Sequence, residues 1–351
     1  MSYFRIGVII SLMAACGVRD SLDWQAGSFA RVADGAGDKM IMLDFYTDRC
    51  MWCKRLDAVT FIDPGVIAYA NEKLVSLRVD AEKGEDVDLA NKYNVRNYPS
   101  VVFTRPDGTE IDRIIGYLPP EDFMAEVKRI DSGEKTLENM FQQVADNPHN
   151  VAAFIQLGWK LDKAKFYSLG FQVWYSVKLL SRPGMDNYAL GEFKTAEARA
   201  VMDSTTAALD KYLANNPSGA YEVEALRGIT WIHRANRDTV AEAESFQRYI
   251  RRAVQSGDAT SALLNGYGWR MTQLGLNLED ALEHTRLGIS IVPLDEVETL
   301  AGIMDTEAEL LWKLGKIREA VEIIDKCIDM QPGDEYFHNQ KSKFLASLET
   351  A

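Results

Sequence analysis

Apolar and polar positions along the chain fall into two regimes. From about Lys39 to Ile130, short strand-like runs alternate with helix-like spacing. Met40 to Tyr46 (MIMLDFY) is a compact apolar run of the kind that forms a buried strand. Residues 53–61 place Leu56, Val59 and Phe61 as a helix start does. Lys73 to Val79 (KLVSLRV) alternates and predicts a second strand, and Asp86 to Tyr93 predicts a helix. Ser100 to Thr104 is β-branched and aromatic, and Pro106-Asp107-Gly108 is a turn signal leading to a partner strand at Glu110 to Ile115. A helix begins at Pro120, with Phe123, Val127 and Ile130 on one side. Strand, helix, strand, helix, strand, strand, helix predicts a mixed sheet with flanking helices, an α/β domain over residues 22–131.

After Gly133 the strand signals stop. Helical spacing continues to the end, broken at Pro148, Pro183, Pro217, Pro293 and Pro332, which predicts helical hairpins over residues 134–351. Ala281-Leu282, Thr285, Gly288-Ile289, Ile291 and Pro293 recur as Ala320-Val321, Ile324, Cys327-Ile328, Met330 and Pro332, at a constant offset of 39 residues. These units resemble tetratricopeptide repeats, which normally span about 34 residues, so the offset predicts an inserted loop within 294–303. Partial echoes occur at Leu157-Gly158 and at Leu209, Tyr212 and Pro217. Glu335 to Leu348 reads as a solvating cap helix. The resemblance implies an all-α helical-repeat domain with a concave surface for a protein or peptide.

The first residues have a different pattern. Arg5 precedes an apolar run from Ile6 to Ala15, too short to span a bilayer, so residues 1–15 read as a signal peptide. Ala14-Ala15-Cys16 resembles the lipobox of bacterial lipoproteins, with Met13 where Leu, Val or Ile is usual. That resemblance implies an acylated Cys16 on the periplasmic side of a bacterial envelope. A plain secretory signal, giving a soluble periplasmic or secreted protein, is the alternative. No later segment is apolar enough to span a membrane. Export places the chain where thiol pairs form disulfides.

Composition narrows the classes further. Hydrophobic residues make up 47% and charged residues 26% of the 351, as in a folded, soluble protein. A formal net charge of −13 repels phosphate backbones and argues against nucleic acid as a partner. Four cysteines are too few for a disulfide scaffold. Cys327 falls on a small, buried repeat position and reads as a core thiol. The four histidines are scattered through the helical half and suggest no site.

The sharpest chemistry is Cys50-Met51-Trp52-Cys53, directly after the buried-strand run and directly before a helix. At a helix start, unpaired N–H groups and the helix dipole favour a thiolate on the first cysteine, and Arg49 adds a neighbouring cation. The second cysteine, one turn on, can close a short disulfide, so the pair can exchange two electrons. A structural disulfide is the alternative. A zinc site needs four ligands, and no second CxxC or CxxH exists, so no metal is expected.

At these residues the chain resembles the thioredoxin superfamily, from about 22 to 131. Within the superfamily it resembles the C-terminal periplasmic domain of the transmembrane thiol:disulfide interchange reductase, a resemblance carried by Thr60-Phe61-Ile62-Asp63-Pro64 and the spacing to Val79-Asp80. The resemblance implies a thioredoxin-like fold and a thiol–disulfide oxidoreductase in which Cys50 attacks and Cys53 resolves. It puts Asp44 on the family's buried proton-transferring carboxylate, and Tyr98-Pro99 on the cis-proline that holds a substrate strand. Asp44 also reads as a plain core carboxylate, and Tyr46 and Trp52 as either substrate-facing or packing residues. The family's lysine partner to the buried acid lands on Ser76, with Arg78 nearby. The dipeptide Met51-Trp52 is neither Gly-Pro nor Pro-His, and such changes move the potential by more than about 100 mV, so direction is not legible. No organic cofactor is needed. The implied partners are proteins bearing thiols or disulfides, a membrane redox protein supplying or taking electrons, and a ligand of the repeats. The rival readings are an adaptor whose thioredoxin-like part only docks, and a periplasmic chaperone.

Overall fold

The computed structural model describes residues 21–293 and 295–348. The expected signal segment 1–15 and Cys16 lie outside the described residues. The chain divides into two compact units between Phe166 and Tyr167.

The first unit runs β1 (Trp24–Gln25), α1 (Phe29–Gly35), β2 (Met40–Tyr46) and α2 (Met51–Arg55), which continues as a π-helical turn over Leu56–Thr60. Then come α3 (Pro64–Lys73), β3 (Leu74–Asp80), α4 (Asp86–Lys92), β4 (Ser100–Thr104), β5 (Glu110–Ile115), α5 (Pro120–Asp131), α6 (Leu137–Asp146) and α7 (Val151–Lys163). The sheet order is β1-β3-β2-β4-β5. β1, β3 and β2 are parallel, whereas β4 runs antiparallel to both β2 and β5.

β2 is the central strand and is covered on both faces, which is why it reads as an apolar run interrupted only by Asp44. Its side chains alternate. Ile41, Leu43 and Phe45 join Val79, Val102 and Tyr93 in one core, with Val32 of α1 and Ala90 of α4. Met42 points the other way and joins Val101 and Phe103 beneath Leu56, Phe61, Phe123, Val127 and Ile130. Asp44 shares the parity of Met42, so it points to the face that carries α2 and α5.

Three elements lie outside the sequence expectations: β1, α1 and α3. α3 has a legible start, because the Asp63 carboxylate accepts from the N–H groups of Gly65 and Val66, and Pro64 occupies the first turn.

β5 is the last strand of this unit, yet α6 and α7, beyond the change of period at Gly133, still belong to it. Charged groups attach them. Arg105 donates two 2.8 Å hydrogen bonds to the Glu138 carboxylate of α6. Lys160 of α7 and Arg129 of α5 converge on the fully buried Asp112 at 2.6 and 2.7 Å. The Arg113 guanidinium lies 4.3 Å from the Phe166 ring centroid.

The second unit contains α8 (Tyr167–Leu180), α9 (Asp186–Asp203), α10 (Ala207–Asn215), α11 (Glu222–Ala235), α12 (Thr239–Ser256), α13 (Ser261–Leu274), α14 (Leu278–Ser290), α15 (Val297–Lys313), α16 (Ile317–Met330) and α17 (Glu335–Leu348). The hairpin partners are α8 with α9, α11 with α12, α13 with α14, and α15 with α16. α14 and α16 start 39 residues apart, and the repeated positions Ala281, Thr285, Ala320, Ile324 and Cys327 are all fully buried. The periodicity is therefore one of core contacts. The inserted-loop expectation needs correcting: from Val297 the segment is helical, and part of the extra length is α15 itself, 17 residues against 14 in α13. Burial pushes the Cys327 thiol up to about 12, so it is a protonated core group. Among the described residues, no helix is long and apolar enough to cross a membrane.

α8 and α9 approach closely where Gly191 faces the backbone of Lys178. A Cβ at 191 would lie 2.6 Å from the Lys178 nitrogen and 3.0 Å from the Trp174 carbonyl oxygen. Backbone cannot yield as a flexible side-chain end can, so Gly191→Ala is expected to destabilise the second unit. The cost is about 1–3 kcal/mol from overpacking, offset by about 1 kcal/mol of helix propensity. A lowered thermal midpoint in circular dichroism, with disulfide exchange unchanged, is the expected result. An unchanged midpoint would mean that the two helices separate freely.

Candidate active site

The site lies where β2 hands over to α2. Cys50 is the N-cap of α2, with extended backbone, and its sulfur accepts from the Cys53 N–H at 3.0 Å. The Cys50 carbonyl accepts from Lys54, closing the first turn. Cys50 and Cys53 form a disulfide with Cα atoms 5.2 Å apart. The two sulfurs differ in access. Cys50 is half-buried at the helix start, whereas Cys53 sits on the inward face, 4% exposed.

The inward face of α2 covers the strand face that Asp44 occupies. Asp44 is 1% exposed, and its Oδ1 has no hydrogen-bond partner among the described residues. Its Oδ2 lies 3.4 Å from Arg78 Nε, an ion-pair distance rather than a good hydrogen bond. Burial pushes this carboxyl up to about 7; Arg78 pulls against that, and Asp57 adds to it. Ser76 occupies the family's lysine position, and the cation beside Asp44 is the nearby Arg78. Parallel pairing sets Ser76 opposite Met42, and Arg78 opposite Asp44.

Arg78 is shared. Its Nη2 donates to the Asp57 carboxylate at 3.0 Å, and its guanidinium lies 4.4 Å from the Tyr46 ring centroid. Asp57 stands four residues after Cys53, one turn on along the same face. There the winding has widened, with Phe61 N–H donating to the Leu56 carbonyl across a π turn. Sequence reading missed Asp57 altogether. Its signal was the i, i+4 spacing from Cys53.

Tyr98-Pro99 is a cis peptide, as the resemblance implied. β4 starts at the next residue, and Ser100 pairs with Phe45. That register puts Pro99 at the end of the sheet from which the CxxC segment leaves β2. Pro99 is buried and Tyr98 half-buried. Trp52 is 58% exposed and stacks on Tyr117, centroids 5.8 Å apart at 27°, with the Arg55 guanidinium 5.2 Å from the same ring. Met51 is exposed beside it. Tyr117 was not anticipated, since it lies far along the chain, just after β5.

The profile of the thioredoxin-like domain family matches residues 29–130. Residues 29–130 form a thioredoxin-like domain. Over 98 residues this domain is 33% identical to "Thiol:disulfide interchange protein DsbD" of Tatumella citrea, and over 96 residues it is 35% identical to that of Escherichia coli strain K12. These alignments cover 27% and 26% of this chain, and 17% of either relative. The chain thus spans about a sixth of the length of the curated relatives it matches. Among solved structures, a putative disulphide-isomerase from Bacteroides thetaiotaomicron is 34% identical, with a TM-score of 0.30, covering 32% of this chain and 93% of that one. The oxidised C-terminal domain of DsbD from Neisseria meningitidis is 26% identical, with a TM-score of 0.26, covering 29% and 88%. The thioredoxin-like domain therefore carries a half-buried and a buried sulfur in one disulfide, over a buried carboxylate. Chemically, such a pair can take two electrons from a dithiol when oxidised or give two to a disulfide when reduced.

Proposed function

We propose that the chain is an exported thiol–disulfide oxidoreductase acting on protein substrates, with the tetratricopeptide-like helices of its second unit, from Tyr167, for partner binding. The observation that supports it most is the unequal burial of the two bonded cysteines, half-buried Cys50 and buried Cys53, at a helix start.

In the reducing direction, the Cys50 thiolate attacks one sulfur of a substrate disulfide. One Cys50–substrate bond forms, the substrate's S–S bond breaks, and the released thiolate takes a proton. The Cys53 thiol passes its proton toward Asp44 and attacks the Cys50 sulfur. The second substrate thiol leaves, and the Cys50–Cys53 disulfide forms. The substrate gains two electrons and the pair loses two. A dithiol partner, such as a membrane redox protein, restores the reduced pair by the reverse exchange. The oxidising direction uses the same mixed disulfide. Tyr98 and Pro99 present backbone to the substrate strand, and Met51 with Trp52, braced by Tyr117, gives it an apolar edge. The segment before residue 16 supplies export, with acylation at Cys16 tethering the chain.

Cys53→Ser removes the resolving sulfur and keeps the attacking one. Expressed in the native host, it is expected to accumulate covalent mixed disulfides that dissolve on reduction, seen on non-reducing gels and identified by mass spectrometry. A Cys53→Ser chain that captures nothing, while Cys50 titrates as a free thiol, would overturn the exchange reading.

A further inference from the structure

The helical unit carries an exposed aromatic and cationic face. On α11, Arg227, Trp231 and Arg234 recur at one-turn spacing on the solvent side. On α13, Ala262, Gly266, Trp269 and Gln273 do the same. Trp231 is 60% and Trp269 39% exposed. Beside them lies an open groove of about 570 Å³ whose lining includes Arg234, Phe246, Leu263, Gly266, Trp269 and Arg270. A Cβ at Gly266 would meet nothing within 4 Å, so the floor is open there.

The groove's cations are fixed from below. Glu242 of α12 is buried and accepts from Arg270 Nε and Nη2 at 2.8 Å each, and from Arg234 Nε at 2.6 Å. Burial pushes this carboxyl up, but the hydrogen bonds and charges of Arg270 and Arg234 prevail and hold it below the usual range, so it stays charged. Two cations on one carboxylate leave a surplus positive charge. The Arg234 Nη groups have no hydrogen-bond partner among the described residues, and Arg270 Nη1 reaches only Gln273. Arg234 lies 4.9 Å from the Trp231 ring centroid, which joins the indole to the cationic wall. On a chain of net charge −13, this is a local cationic and aromatic face.

We propose that this face docks an acidic, apolar polypeptide segment of a partner protein. A carboxylate takes the free donors of Arg234 and Arg270, and adjacent apolar side chains lie over Leu263, Gly266 and Trp269. The proposal gives the partner chemistry for the helical domain and rests on reading that domain as a binding module. It is independent of the thiol chemistry.

The test uses the full chain and three labelled synthetic peptides: alternating Glu and Phe, alternating Gln and Phe, and alternating Lys and Phe. Fluorescence anisotropy is expected to show binding of the Glu–Phe peptide, weakened by added salt. The Gln–Phe peptide should bind about tenfold more weakly, and the Lys–Phe peptide not at all. Gly266→Glu fills the groove with like charge, and its helix propensity favours folding, so it should abolish binding. Leu179→Glu, the same added charge at an exposed position of α8, should change nothing. Equal binding of all three peptides, lost in Gly266→Glu, overturns the acidic preference and leaves the module reading standing. A wild-type dimer in sedimentation that Gly266→Glu dissociates makes the occupant a second copy and overturns the proposal. A monomer that binds none of the peptides overturns the proposal and the module reading together.

Discussion

Cys50→Ser is expected to reduce dithiothreitol-driven insulin reduction to the uncatalysed rate, a loss on the order of 10³-fold or more in kcat/KM. The geometry gives the reason. Exchange needs a thiolate that a substrate sulfur can reach in line, and Cys50 is the more accessible of the two sulfurs, at the start of α2. Cys53, on the covered face, cannot take over the first step. The substitution should leave the fold intact, because serine is a favoured N-cap and its hydroxyl can accept from the Cys53 N–H as the sulfur does. The comparison is with reduced wild type, so that the missing disulfide does not enter. Equal insulin-reduction rates in the two proteins would leave the pair a structural disulfide and the domain a docking module.

Which features were legible in the sequence follows from their physics. β2 was legible because a strand covered on both faces is apolar at all but one of its positions, Asp44, and Cys50-Met51-Trp52-Cys53 because it stood between that strand and a helical period. The 39-residue offset was legible because Ala281, Thr285, Ala320, Ile324 and Cys327 are fully buried, where a change of side-chain volume is felt. The pairing of Asp44 with Arg78 was not. Parallel register depends on how α2 and α3 seat the two strands, and counting along the chain puts Ser76 where the family has its lysine. The attachment of α6 and α7 to the first unit was hidden for a different reason. Lys160, Asp112, Arg105 and Glu138 look like solvated charges in sequence, and only the fold brings half-buried Lys160 onto the buried carboxylate of Asp112. β1, two residues long, carries no period at all.

Asp44→Asn separates the two meanings of a buried carboxylate. Asp44 is pushed up to about 7 by burial, from about 3.8 in an unfolded chain. The fold therefore binds this proton more tightly than the unfolded chain does. The stabilisation from that proton is fully present below about pH 4 and is lost as pH rises through 7, a difference of about 4 kcal/mol. Asparagine fills the same volume without a charge. Urea denaturation should show the variant more stable than wild type at pH 8.5 and close to it at pH 4. Catalysis should move the opposite way. With the buried carboxyl gone from the strand face that α2 covers, kcat/KM for insulin reduction at pH 7 should fall about 10²-fold, and the rise of rate through pH 7 should flatten. An acid kept for packing would behave in reverse: its loss would destabilise the domain at pH 8.5 and leave the pH profile of exchange in place. The unpartnered Oδ1 and the 3.4 Å separation from Arg78 argue for the first outcome, since a carboxylate retained for stability at that depth would have its oxygens hydrogen-bonded.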